Sequence, residues 1–401
     1  MGAELRFVMS GATGTITSGG RPGLLRNYAG NAAALEGLAD RGMTAGHFDT
    51  FPLGDSTRNN PVIDGKPCDQ YSRPSPRSSL YFPHIAEGIN DGAENELVCL
   101  MSGDKDVVKE GTGIIHAVGI TAQQAQLIKD RGAKVIWSPR TNIFLYGNTA
   151  PVTLLRQVGV PMALGTDWLP SGSMNMLREL ECARFLNESY FGSTFSDQEI
   201  WEMATLNGAL VVGGVRDGKY LVGALEVGAV ADISIFDSRV NKGYRAAIAA
   251  SSEDVVLVMR GGKVLYGDAA LVDGTAKDAP DCEALDVCGA PKHVCLKNDN
   301  TDGVTVARLQ ELLAAGTLYP LFTCRGQAVE GEPTCQPYRA EYPDGLATDR
   351  DGDGVVEGDN CPDIFNPPRP MDAVGGGAPV QSDGDGDGVG DACDETPNGG
   401  I

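Results

Sequence analysis

Val160-Pro-Met-Ala-Leu-Gly-Thr-Asp-Trp168 is an apolar run that stops at Gly-Thr-Asp, and it reads as a buried strand delivering one carboxylate, Asp167, at its end. Two other segments share the plan: Pro83-His-Ile-Ala-Glu87, with His84 and Glu87, and Gly113-Ile-Ile-His116. Strands that end in metal ligands or proton carriers are how a β/α barrel displays chemistry at one rim. Equally informative is an absence: the chain holds His47, His84, His116 and His293, and no two of them form a His-x-His pair.

Outward from these segments, Leu5 to about residue 213 alternates short β-rich runs with helical patterns, the signature of a parallel sheet with crossover helices. The candidate strands are 12–17, 48–53, 79–85, 112–118, 133–138 and 160–166, which fall short of a closed eight. Thr121-Ala-Gln-Gln124 and Ser196-Asp-Gln-Glu199 predict capping boxes, and Gly132 predicts a helix C-terminus. Residues 55–79 are rich in turn formers and read as a long surface loop. After 213 the pattern changes to antiparallel strands, with Gly261-Gly262 as a hairpin turn. Residues 269–340 read as a Cys-, Gly- and Pro-rich connector with one short helix near 304–315, and Asp-Gly repeats follow from Thr348.

The 401 residues are 42% hydrophobic, enough for a large core plus a smaller module. The formal charge of −22 is concentrated at the C-terminal end, where residues 341–401 hold fifteen Asp and Glu against two Arg. That balance repels phosphate backbones and attracts cations, so nucleic acid is not an expected partner. Seven of the ten cysteines lie in the last third, which points to disulfides made in an oxidising compartment. Cys99, in Leu-Val-Cys-Leu-Met, and Cys182, on a helical pattern, read instead as buried free thiols. No run reaches the ~18 apolar residues of a membrane span. The start, Met-Gly-Ala-Glu-Leu-Arg, is not a signal peptide, so an upstream N-terminus is expected.

A divalent ion that activates water needs imidazoles and carboxylates plus a separate proton carrier, and His84, Glu87, His116 and Asp167 supply those types. In order and flanks, His-Ile-Ala-Glu at 84–87, Ile-Ile-His-Ala-Val at 114–118, Trp-Ser-Pro-Arg-Thr-Asn at 137–142 and Ala-Leu-Gly-Thr-Asp at 163–167 resemble the amidohydrolase superfamily, in its cytosine-deaminase and chlorohydrolase branch. The likeness covers about residues 5–268. It implies a partial TIM-type β/α barrel with a small β-sandwich remnant, an α/β fold. It also implies that His84 binds zinc or iron, that Glu87 shuttles protons and that His116 orients and polarises substrate or water. Asp167 would touch the metal and act as general base, with Arg140, Asn142 and Trp168 near a small-molecule substrate. The family's first strand carries an HxH pair that this chain lacks. The chain is therefore read as a truncated gene model or a fragment, with its first barrel strand missing and its metal site reduced to two ligands.

The tail places carboxylates at every second residue in Asp349-Arg-Asp-Gly-Asp-Gly-Val355 and Asp383-Gly-Asp-Gly-Asp-Gly-Val389, a pattern suited to the many-oxygen shell of calcium. It resembles thrombospondin type 3 repeats, matched by Asp359-Asn-Cys-Pro362, Asn366-Pro367 and Asp391-Ala-Cys-Asp394. The resemblance implies a Cys361–Cys393 disulfide and calcium ligands at Asp349, Asp351, Asp353, Asp383, Asp385, Asp387, Asp391 and Asp394. Removing calcium is expected to loosen 345–395 and leave the barrel unaltered.

The expected divisions are an incomplete barrel at 1–215, sandwich strands at 216–270, a connector at 271–340 and a calcium-wrapped irregular tail at 341–401. The expected function is metal-dependent hydrolysis of a C–N bond in a small cyclic amide, amidine or amine by an extracellular, periplasmic or cell-surface protein. The alternative is an inactive scaffold whose tail binds calcium and a cell-envelope partner.

Overall fold

The computed structural model describes residues 1–19, 22–54, 67–275, 281–299, 303–316, 319–342, 349–373, 375 and 377–399. Residues 55–66 of the expected loop, and Thr348, lie outside them. Within the described residues the apolar runs become strands. β1 (Gly14–Thr15) and β2 (Arg26–Asn27) pair with each other, so the segment predicted at 12–17 does not join the main sheet. β3 (His47–Asp49), β4 (Tyr81–Ile85), β5 (Gly113–His116), β6 (Lys134–Trp137) and β7 (Met162–Leu164) form an open five-stranded sheet in sequential order. A two-residue pair, β8 (Val215–Arg216) and β9 (Lys219–Tyr220), follows. β10 (Ile233–Phe236), β11 (Val255–Arg260), β12 (Lys263–Asp268), β13 (Glu283–Val287) and β14 (Ala290–Val294) build a second, antiparallel sheet.

The chain divides into two compact units, 1–48 with 172–181 and 197–332, and 49–171 with 182–196 and 333–401. The fold is mixed α/β. In the second unit β4 to β7 run parallel, and β4 and β5 are buried at every position, as a parallel sheet covered on both faces requires. Ile85 lies opposite His116, and Trp137 opposite Leu164, so the C-terminal strand ends share one rim. The helix Ala122–Asp130 opens with the predicted reciprocal Thr121/Gln124 capping box, and Gly132 follows it at φ +67°. The next crossover helix, Pro139–Tyr146, starts on proline and stops at Gly147 in the left-handed region.

The tail belongs to this unit. Phe365 packs edge-on against Tyr190 and Tyr342, with centroids 5.6 and 5.8 Å apart, and its N–H donates to the Tyr190 carbonyl at 2.8 Å. Gln123 Nε2 donates to the Gly384 carbonyl and Asn398 Nδ2 to the Ala122 carbonyl.

In the first unit Gly261 and Gly262, both at positive φ, turn β11 into β12. The connector supplies more than the one helix expected of it. Glu-Ala-Leu-Asp-Val and Ala-Pro-Lys-His-Val fold back about Gly289 as β13 and β14 and extend the antiparallel sheet. Val255, Val258, Leu265, Val287 and Val294 pack with Leu5 and Val8 of the helix Gly2–Val8 and with Leu309 and Leu313 of the helix Val306–Ala314. Arg26 meets Asp232 at 2.8 Å where both are almost fully buried.

All ten cysteines are paired: 68–99, 182–335, 282–295, 288–324 and 361–393. Cys361–Cys393 agrees with the expectation. The free-thiol reading of Cys99 and Cys182 is corrected, because their partners, 31 and 153 residues away, sit with Cα atoms 5.2 and 5.7 Å distant, within disulfide reach.

Candidate active site

Three of the strands that end at the rim, β4, β5 and β7, are followed or closed by a backbone turn that side chains rarely adopt. Ala86, His116, Ala117 and Asp167 all have φ between +52° and +78°, and such positions in non-glycine residues cluster at functional sites. The loop after β5 is sewn to the end of β4. Ala117 N–H donates to the Ile85 carbonyl, and Val118 and Gly119 N–H both donate to the Ala86 carbonyl. Ala86 N–H in turn donates to Glu96 at 2.7 Å. His84, Glu87, His116 and Asp167 meet there. Ligating atoms of His84, His116 and Asp167 lie within 4.8 Å of one another, and Glu87 Oε2 is 3.4 Å from His116 Nε2.

Hydrogen bonding gives the two imidazoles opposite polarity. His84 Nδ1 lies 3.0 Å from the Asp49 carbonyl. A carbonyl only accepts, so Nδ1 carries a proton, and Nε2 is the nitrogen that can offer a lone pair when the ring is neutral. Tyr81 Oη donates to the Asp49 carboxylate at 2.7 Å and steadies this support. At His116 the order is reversed. The Trp137 indole N–H donates to Thr149 Oγ1 at 2.7 Å, Thr149 donates to Asn142 Oδ1 at 3.5 Å, and Asn142 Nδ2 donates to His116 Nδ1 at 3.1 Å. With its oxygen toward Thr149, the Asn142 amide presents its N–H to His116. Nδ1 accepts and Nε2 bears the proton. His116 is fully buried, and burial, reinforced by His84, holds its pKa well below the usual histidine value. The ring is therefore neutral. Its Nε2 makes no hydrogen bond and faces the rim, with Glu87 beside it.

Burial raises the Asp167 carboxyl above the ordinary range, while His84, the Thr141 side chain and the Trp168 N–H pull it back down. Tyr146 Oη donates to Glu87 Oε1 at 3.0 Å, and burial, with the Glu87 charge next, keeps that phenol protonated. The group thus offers one imidazole lone pair, one N–H donor and two carboxylates, a set able to bind a cation, orient a polar substrate and move a proton.

Sequence reasoning brought together His84, Glu87, His116 and Asp167, and the structure brings Asn142 to His116. Arg140 does not join them; it is buried and donates to the Pro333 carbonyl. Trp168, next to Asp167, is 71% exposed. The supports at Asp49, Trp137, Tyr146 and Thr149 were missed. A signal existed for Tyr146, which lies one helical turn after Asn142 and so on the same face.

In the tail, Asp349, Asp351 and Asp353 converge, as do Asp383, Asp385 and Asp387. The two loops repeat one hydrogen-bond scheme: Asp349 accepts from the Gly352 and Gly354 N–H groups, and Asp383 from those of Gly386 and Gly388. The first triad is buried and the second is largely exposed. Asp391 and Asp394 are buried but lie outside both triads.

Residues 86–265 match the amidohydrolase family. A 5-methylthioadenosine/S-adenosylhomocysteine deaminase of Halobacterium salinarum is 30% identical over 177 residues, covering 42% of this chain and 40% of that protein. One of Teredinibacter turnerae is 34% identical over 129 residues, 31% of this chain and 28% of that protein. The chain spans less than half the length of these relatives. Among solved structures, a zinc-bound adenosine deaminase of Xanthomonas campestris shares 21% identity over half of each chain at a TM-score of 0.40. A zinc-complexed atrazine chlorohydrolase of Arthrobacter aurescens shares 21% identity over 46% of this chain and 44% of that one, at 0.38. The segment similar to the amidohydrolase family, residues 86–265, thus contains Glu87, His116 and Asp167.

Proposed function

We propose that this rim is the working end of a partial β/α barrel that hydrolyses a C–N bond other than a peptide bond in a small cyclic amide, amidine or amine, with a divalent metal as cofactor. The observation that carries the reading is the opposed polarity of His84 and His116 beside two carboxylates. His84 Nε2 and Asp167 would hold zinc or iron, and such an ion supplies Lewis-acid activation of water. Asp167, with its carboxyl raised by burial, takes a proton from the attacking water. Glu87, held by Tyr146, delivers a proton to the leaving nitrogen. His116 donates from Nε2 to the charge that develops on the substrate. The deaminase relatives make an exocyclic amine on a nitrogen heterocycle the first substrate class to try, with Asn142 and Trp168 at its edge and Arg140 supporting the helix that carries Asn142. Ammonia release from a panel of such amines tests this: Glu87→Gln and Asp167→Asn should each abolish release, and release unaffected by both changes refutes it.

A second reading is favoured by one observation. With His116 Nε2 a donor, the described rim leaves an ion His84 and Asp167, fewer than the three protein ligands usual for catalytic zinc. That would suit an inactive scaffold. Zinc that the purified chain fails to retain, together with no ammonia release, decides for it.

For the tail we propose calcium at the two triads, as in thrombospondin type 3 repeats, with Asp391 and Asp394 shaping the second. Support comes from Asp351 Oδ2, which has no hydrogen-bond partner although the residue is 1% exposed. The disulfides and this tail favour an extracellular, periplasmic or cell-surface location, where the tail could meet a cell-envelope partner. No described helix is long and apolar enough to cross a membrane.

A further inference from the structure

The tail is bolted to the loop that leaves β5. Arg369 is buried, and its Nη1 donates to the Val118 carbonyl at 3.2 Å and the Ile120 carbonyl at 3.1 Å. Asp372 holds the rest of the guanidinium through Nε and Nη2, at 2.6 and 2.9 Å. Val118 lies two residues after His116, and its N–H reaches the Ala86 carbonyl, next to Glu87. One arginine of the tail therefore braces the turn that joins the ends of β4 and β5.

The other side of Arg369 leads to the carboxylates. Its N–H donates to the Val380 carbonyl at 2.9 Å. The next residue, Gln381, donates from Nε2 to Asp353 at 2.8 Å and to Asp359 at 2.9 Å. Asp349, Asp351 and Asp353 are each no more than 2% exposed, and Asp351 has its Oδ2 buried without a hydrogen-bond partner. One ligating oxygen of each lies within 4.8 Å of those of the other two, a geometry that a shared cation would hold together. Hydrogen bonds from backbone N–H groups occupy part of their oxygens, and the remainder suits a hard ion with many oxygen ligands.

We propose that calcium bound by Asp349, Asp351 and Asp353 rigidifies the rim carrying His84, Glu87 and His116, through Gln381, the Arg369–Val380 pairing and the Arg369 contacts to Val118 and Ile120. Without the ion, Asp349, Asp351 and Asp353 lose their common ligand, Asp353 is freer to part from Gln381, and Arg369 is no longer fixed over the loop. Calcium then acts as an activator of the rim. The inference rests on the calcium reading of the tail, and it replaces the expectation of a tail that loosens without consequence for the sheet.

Hydrogen exchange on the full chain, in calcium at about 1 mM against EGTA, tests it. Calcium should slow exchange at 349–355, and at 117–120 by at least about 5-fold, the lower end of ordinary coupling between sites. In Arg369→Gln the protection of 349–355 should persist while the response at 117–120 disappears. In Asp351→Asn both responses should be lost with Arg369 intact. Protection of 349–355 with no change at 117–120 in the parent overturns the coupling and leaves the calcium site standing. Absence of any response at 349–355 overturns both. A parent-like response at 117–120 in Arg369→Gln overturns the route through that residue.

Discussion

Asn142 offers the sharpest perturbation, because its amide sets which nitrogen of His116 carries the proton. In Asn142→Asp the donor facing Nδ1 at 3.1 Å becomes an acceptor of almost the same shape. The His116 proton should move to Nδ1, and Nε2 gains a lone pair within 4.8 Å of the ligating atoms of His84 and Asp167. The rim would then have three protein ligands, with a carboxylate behind one histidine. Such supporting partners alter metal affinity by about 10–100-fold, so Asn142→Asp should bind zinc tighter than the parent by roughly that factor. Hydrolysis should fall, since the donor toward the substrate is gone. In Asn142→Leu, Nδ1 is left buried without a donor, which costs about 1–3 kcal/mol of stability, and zinc affinity should not rise as it does with aspartate. Competitive zinc titration with a chromophoric chelator, alongside chemical denaturation, reads both quantities. Equal or weaker zinc binding in Asn142→Asp would refute the assigned polarity of the relay.

Several other outcomes are expected. Asp167→Asn should abolish turnover with an unchanged circular dichroism spectrum and melting temperature; retained turnover removes Asp167 from the chemistry. Phe365→Ala removes the ring packed between Tyr190 and Tyr342, which should cost about 3–5 kcal/mol in denaturant unfolding, and a loss below 1 kcal/mol (roughly an exposed residue's effect) would show that the tail is not docked. Burial and the neighbouring aspartates push the Asp351 carboxyl up to about 8, and burial raises Asp353 to about 6. The folded form then holds protons that the unfolded chain has released, so in EGTA stability should be full below about pH 4 and fall as pH rises toward 8. Calcium or Asp351→Asn should flatten that fall, and melting temperatures in EGTA that hold steady from pH 5 to 8 would contradict it.

How much of this was legible in the chain depends on the range of each interaction. The Thr121/Gln124 capping box, Gly132 and the Gly261-Gly262 hairpin are written within a few residues and appear where expected. The rim residues could be read because strand ends in a parallel sheet fall at one edge, so Ile85 and His116 come into register. Their polarity could not be read, since it is set by Asp49, 35 residues before His84, and by Asn142, 26 residues after His116. Cys182 looked like a core thiol because nothing near it signals Cys335. The strands at 283–294 were hidden by a composition that resembled a loop, though their five-residue runs flank one glycine at positive φ. The tail's acidity announced a cation, whereas its attachment rests on Arg369 reaching back some 250 residues to Val118 and Ile120.

If His84 and Asp167 share one ion at the rim, zinc stoichiometry must depend on both. The chain is equilibrated with zinc in excess calcium, desalted and measured by elemental analysis, next to His84→Ala and Asp167→Ala. The parent should retain zinc, and either substitution should release it. The same zinc content in all three proteins would contradict the shared site.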